Sequence, residues 1–204
     1  MLALAAIGYA SRLFGGEPDE DIVFRYAFGF SALIQYGLIG GLMLVIARRS
    51  PRRELFALRS PARIRRAAGL AAAVFVAIFI VAGVLDRFLH AGEEQGLVPS
   101  GWDSTRAGAF AFSFVAVAVL APVTEELLYR GLGYSLLERF GGVASIGLTG
   151  FVFAAAHGLL AGLPILWFFG SALAWLRART DSVYPGIGVH AVFNGIALIA
   201  AVAV

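Results

Sequence analysis

Six stretches of this chain are too apolar to be surface segments of a water-soluble domain. They cover residues 22–47, 67–85, 107–140, 143–160, 163–176 and 184–204. A bilayer interior about 30 Å thick is crossed by about 20 helical residues. Only helices and closed barrels satisfy their backbone polar groups there. Of the 204 residues, 60% are hydrophobic and 14% are charged, where a soluble domain carries about 25% charged residues. Mean hydropathy is +0.84. The expected fold is an all-α polytopic transmembrane bundle of about six spans. The shorter runs predict tilted or irregular helices. Residues 1–14 are also apolar, but too short to span, and they lack the charged start and small-residue cleavage site of a signal peptide. A short interfacial helix is expected there.

Charge placement orients the bundle. All 16 basic residues are arginine. Eight of them, with one glutamate, fall in residues 48–66 between the first two apolar runs. Arginine-rich short loops stay on the cytoplasmic side, which predicts loop 48–66 inside and the connection 86–106, with its "GEEQG", outside. Alternation then puts Arg139 and the "RARTD" segment at 177–181 inside, and both termini outside. The basic balance is therefore topological and implies the lipid bilayer, not nucleic acid, as partner. An integral protein of the bacterial cytoplasmic membrane is expected. Cysteine is absent, so thiol and disulfide chemistry are excluded.

Polar groups inside apolar runs are the informative exceptions. A charge at the bilayer centre costs on the order of 2.5–3.5 kcal/mol and normally faces the bundle interior with a partner. The set is Gln35, Glu125, Glu126, Arg130, His157, His190 and Asn194, with Arg25 near a helix mouth four residues after Asp21. Glu125 and Glu126 are consecutive, so on a helix they point about 100° apart. Glu126 and Arg130 stand at i, i+4 in the favourable order and read as a structural ion pair. Glu125 is left on another face, a desolvated carboxylate suited to general-base work. His157 follows Phe153 by one turn, and His190 and Asn194 share a helix face. Three helices thus each bring an acid, base or donor, the composition of a buried hydrolytic site.

The chemistry narrows by elimination. There is no Gly-x-Ser-x-Gly elbow and no His-Glu-x-x-His pair. One scheme has Glu125 and a histidine activate water, with His190 and Asn194 stabilising the oxyanion. The other has Glu125, His157 and His190 hold a zinc ion. Spacing leaves both open.

In order and spacing, Glu125-Glu126-x-x-x-Arg130, Phe153-x-x-x-His157 and His190-x-x-x-Asn194 resemble the CPBP family of intramembrane proteases, which includes the CAAX proteases and bacteriocin-processing (Abi) proteins. The lead-in "RTDSVYPGIGVHAVFN" resembles the family as well. The resemblance implies that Glu125 and His157 activate water, that His190 and Asn194 bind the oxyanion, and that Glu126 with Arg130 holds the site together. It implies cleavage of a membrane-associated peptide or protein, without fixing substrate, metal or oligomeric state. Residues 1–106 are then N-terminal membrane helices and 107–204 the catalytic core, integrated in one membrane domain. A catalytically silent scaffold or immunity protein, and a proton-relaying transporter, are the rival readings. Substrate would reach the cavity from the cytoplasmic side or laterally. One difficulty accompanies this scheme. A helix starting inside at 143 carries His157 about 21 Å along its axis, towards the outer side, whereas Glu125 and His190 fall nearer the inner side.

Overall fold

The computed structural model describes residues 9–10, 13, 21–91, 94, 99 and 101–203. The short helix expected over 1–14 falls outside the described residues, apart from 9–10 and 13. Among the described residues there are helices and no strands.

Among the described residues, seven helices carry the chain. They are α1 (Tyr26–Ile46), α2 (Arg52–Leu55), α3 (Ile64–Leu89), α4 (the continuous helical run Ser104–Phe140), α5 (Gly142–Ala155), α6 (Leu163–Thr180) and α7 (Tyr184–Ala203). Each of the six apolar runs becomes a helix. Four of the helical runs, those containing α1, α3, α4 and α7, are long and apolar enough to cross a membrane. At 14 residues α5 is about 21 Å long, short of the hydrocarbon thickness. It stops where the chain turns through Gly158, whose φ of +68° suits a residue without Cβ. The 18 residues of α6 end in the charged Arg177 and Arg179.

The outer faces are apolar. Ile34, Leu38, Leu42, Ile80, Phe88 and Ile199 are all exposed, a distribution that lipid, not water, accommodates. The protein is an integral membrane protein.

Inside the bundle, α5 and α6 make the closest pairing, with α6 also packed on α3 and α7. Glycines permit it: a Cβ on Gly170 would lie 2.8 Å from the Gly150 backbone, so the two helices meet through small residues as membrane helices often do. Phe153, Phe169, Leu173 and Leu176 fill the space between them and Val74, Ile78 and Val189. α1 packs instead on α4, where Phe30 meets Phe112 edge-on at 5.1 Å.

α4 is not a uniform helix. Ala116–Leu120 and Leu127–Gly133 are π-helical, flanking the α-helical Ala121–Glu126. Such π segments recur at functional sites because the wider turn re-aims side chains. At its start Asp103 caps the chain, accepting from the Thr105 N–H at 2.8 Å. The Thr105 hydroxyl and Arg106 also donate to this carboxylate, which holds it down at about 2. Asp21 accepts from Arg106 at 3.0 Å.

The arginine-rich connection folds back under the bundle. Phe56 and Ala57 are buried there, the Val183 N–H donates to the Ala57 carbonyl at 3.3 Å, and the Ser135 hydroxyl donates to the Leu55 carbonyl at 2.9 Å. Arg59 reaches Asp181 at 2.5 Å.

Candidate active site

Glu126 and Arg130 form the ion pair their spacing predicts, and both side chains are fully buried. Arg130 Nη1 donates to Glu126 Oε1 at 2.8 Å, Nη2 donates to the Gly170 carbonyl at 2.9 Å, and the guanidinium lies 4.5 Å from the centre of the Phe153 ring. One side chain thereby ties α4 to α5 and α6. A buried pair gains little net stability, but removal of one partner strands a charge, so its value lies in fixing geometry.

The same Glu126 oxygen holds His190. Nδ1 of the imidazole stands 3.1 Å from Glu126 Oε1, and an ionised carboxylate only accepts, so Nδ1 carries the proton. Nε2 is then turned towards Glu125, 3.9 Å from its Oε2. That separation is beyond a hydrogen bond. Gly186, one turn before His190, makes room: a Cβ there would fall 2.7 Å from Glu126 Oε2. The Phe169 ring packs edge-on against the imidazole at 4.9 Å.

Glu125 is 5% exposed. Its Oε1 accepts a hydrogen bond from the Tyr36 hydroxyl at 2.8 Å. Tyr36 lies on α1, outside all three motifs, and reading the sequence did not single it out. The available signal was a phenol in the middle of an apolar run, beside Gln35, since a buried Tyr O–H needs an acceptor.

His157 lies two residues beyond the end of α5, and Glu125 lies about as far from the inner end of α4, which runs on to Phe140, so the two stand at similar depth. Its Nδ1 is 2.8 Å from the Phe153 carbonyl. A carbonyl only accepts, so Nδ1–H donates, which in the neutral ring leaves Nε2 as the acceptor. Phe153 stands between the two histidines, 4.6 Å from His157 and 5.8 Å from His190 between ring centres.

Asn194 is engaged by α4. Its Nδ2 donates to the Val117 carbonyl at 3.0 Å. Val117 precedes Pro122 by five residues, and in a π-helical register that carbonyl would await the N–H that proline lacks. The asparagine supplies the donor and keeps a second N–H.

Glu125, His157, His190 and Asn194 all line one cavity of about 690 Å³, together with Gln35, Tyr36 and Phe153. Glu126 and Arg130 sit behind its wall. Among the described residues no three His, Asp or Glu side chains form a group able to hold a metal ion.

Residues 107–196 match the family model described as type II CAAX prenyl endopeptidase Rce1-like. This stretch, 90 of the 204 residues, is what is similar to the CAAX protease family. All seven motif residues lie within it, and Tyr36 lies outside it. No curated protein and no solved structure gives a significant match.

Proposed function

We propose that the protein hydrolyses a peptide bond of a membrane-associated protein or peptide, using a water molecule activated by Glu125. The observation that carries this reading is a buried carboxylate at the base of a cavity whose walls present two histidines with defined Nδ1 partners and an amide donor.

In the proposed reaction Glu125 accepts a proton from water while the oxygen attacks the scissile carbonyl carbon. His157, with Nε2 unprotonated, is positioned to share that proton. The C=O pair moves onto oxygen, and the oxyanion is met by the second Asn194 N–H and by His190 when its Nε2 is protonated. The proton then passes to the amide nitrogen as the C–N bond breaks, which releases an amine and a carboxylic acid. Tyr36 holds the Glu125 carboxylate in place, and Glu126 with Arg130 holds His190.

The test is cleavage of a quenched peptide library by purified wild type and Glu125→Ala in detergent, with and without chelator. The expected result is activity that survives chelator and disappears in the variant. Chelator-sensitive activity restored by zinc would replace the water-only scheme with metal chemistry. Equal inertness of both proteins against a peptide that native membranes do cleave would support the silent scaffold.

A further inference from the structure

We propose that a groove between the first halves of α3 and α7 seats one anionic phospholipid, with its phosphate on Arg63 and Arg65 and an acyl chain lying between the two helices. The seat is separate from the catalytic cavity, and it stands whether or not Glu125 hydrolyses peptides.

The sequence makes this groove by leaving out bulk. On α3 its wall is Ile64, Ala68, Ala72 and Val76. On α7 it is Tyr184, Gly188 and Val192. A Cβ on Gly188 would meet nothing within 4 Å, so no side chain reaches across from α3. The space between the walls is about 590 Å³. Phe75 and Val189 form its back, where they join the core around Phe169. Glu125 and His190 line the other cavity and not this one.

Its length suits one leaflet. The wall from Ile64 to Val76 covers about 18 Å of α3, and that from Tyr184 to Val192 about 12 Å of α7. Half of a hydrocarbon layer is about 15 Å. Both helices start from the arginine-rich end, because the Arg59–Asp181 pair joins the segments that precede them. Tyr184, exposed at the mouth, is a residue type that marks the headgroup level. Ile64, Val76 and Val192 are exposed along the rims, so the groove is open to lipid along its side.

Charge selects the headgroup. From residue 55 to residue 85 the chain has four arginines and no acid. Arg59 is taken by Asp181. Arg63, Arg65 and Arg66 are exposed, and among the described residues none of them has an acidic partner. Arg63 stands between Pro61 and Ile64, both of which line the mouth. Arg65 falls in one row with Ala72 and Val76, at i, i+7 and i+11. Arg66 is about 100° further round α3 and faces away. Two guanidinium forks at one mouth match a phosphate, and the Tyr184 hydroxyl is a further donor beside them. Asp181, the carboxylate nearest in sequence to Tyr184, already holds Arg59 and Arg177. No carboxylate is left to receive a choline, so a net-negative headgroup is preferred to a zwitterionic one.

Native mass spectrometry of the detergent-purified protein, titrated with phosphatidylglycerol or with phosphatidylcholine of the same chains, reads the site. One phosphatidylglycerol should bind roughly 25-fold more tightly than phosphatidylcholine, since each arginine near an anionic lipid is worth about fivefold. Arg63→Gln with Arg65→Gln should erase that preference, and Arg66→Gln should leave it. Gly188→Leu and Ala72→Phe fill the groove from its two walls and should each abolish tight binding. Phosphatidylglycerol should raise the melting temperature of the wild type and of Glu125→Ala, but not of either filled variant. A phosphatidylglycerol with a diazirine in its acyl chain should crosslink to peptides covering 61–76 and 184–192. Equal affinity for the two lipids, or a preference that survives loss of both arginines, would overturn the headgroup assignment. Tight binding that survives both filled variants, or crosslinks confined to other helices, would overturn the seat. Competition by glycerol phosphate at equal concentration would reduce the seat to a phosphate site and overturn the lipid. A wild-type dimer that forms without lipid and is broken by Gly188→Leu would give the groove to a second copy of the chain.

Discussion

Tyr36→Phe isolates one oxygen atom. The ring and its packing remain, and what disappears is the 2.8 Å hydrogen bond to Glu125 Oε1. A hydrogen bond to a charged group contributes about 1.5–3 kcal/mol, and about 1.4 kcal/mol corresponds to a tenfold change in rate. If that bond aims the carboxylate at water, kcat should fall by about ten- to a hundredfold while KM stays unchanged. The assay is steady-state cleavage of the best peptide from the quenched library, with thermal unfolding in the same detergent alongside. Glu125→Gln with and without Tyr36→Phe completes a double-mutant cycle, and the tyrosine change should cost nothing further once the carboxylate is gone. Wild-type kcat in Tyr36→Phe would refute the reasoning. So would a loss of thermal stability without a loss of rate, because the phenol would then be a strut between α1 and α4 and nothing more.

The remaining predictions concern the supports of the site. Arg130→Met leaves Glu126 buried without its cation and should lower unfolding stability by about 3–5 kcal/mol; adding Glu126→Gln should recover part of the loss in a thermal melt. Gly186→Ala forces a methyl against Glu126 Oε2, and should reduce activity far more than Gly188→Ala, where a Cβ would meet nothing within 4 Å. Asn194→Leu removes the donor from the Val117 carbonyl and should cost about 1–3 kcal/mol of stability. Asn194→Asp, which cannot donate when ionised, should lose activity as well.

What could be read from the sequence divides by the distance over which a contact acts. All six apolar runs are helices because bilayer physics acts on each segment alone. Glu126–Arg130 was legible because i, i+4 spacing places the partners together within one helix. Span length was less so: the run 143–160 is apolar throughout, yet α5 ends at Ala155, where His157 is held back on the Phe153 carbonyl and the chain reverses at Gly158. Tyr36 was less legible because its partner is 89 residues away, and a phenol in an apolar run shows only that it needs an acceptor, not which one.

Asn194 shows how the two kinds of information combine. Its spacing from His190 put both on one face of α7, which the sequence displays. Its partner depends on the register of α4 at Val117, which the sequence hides. Pro122 breaks the helical hydrogen-bond ladder in any register, but the π-helical turns over Ala116–Leu120 decide which carbonyl is short of a donor. That register also turns Glu125, three residues past the proline, into the cavity that Asn194 lines. The bond from Asn194 to Val117 therefore does more than satisfy a carbonyl. It locks α7 to the irregular part of α4 and so fixes the helix bearing His190 against the helix bearing Glu125.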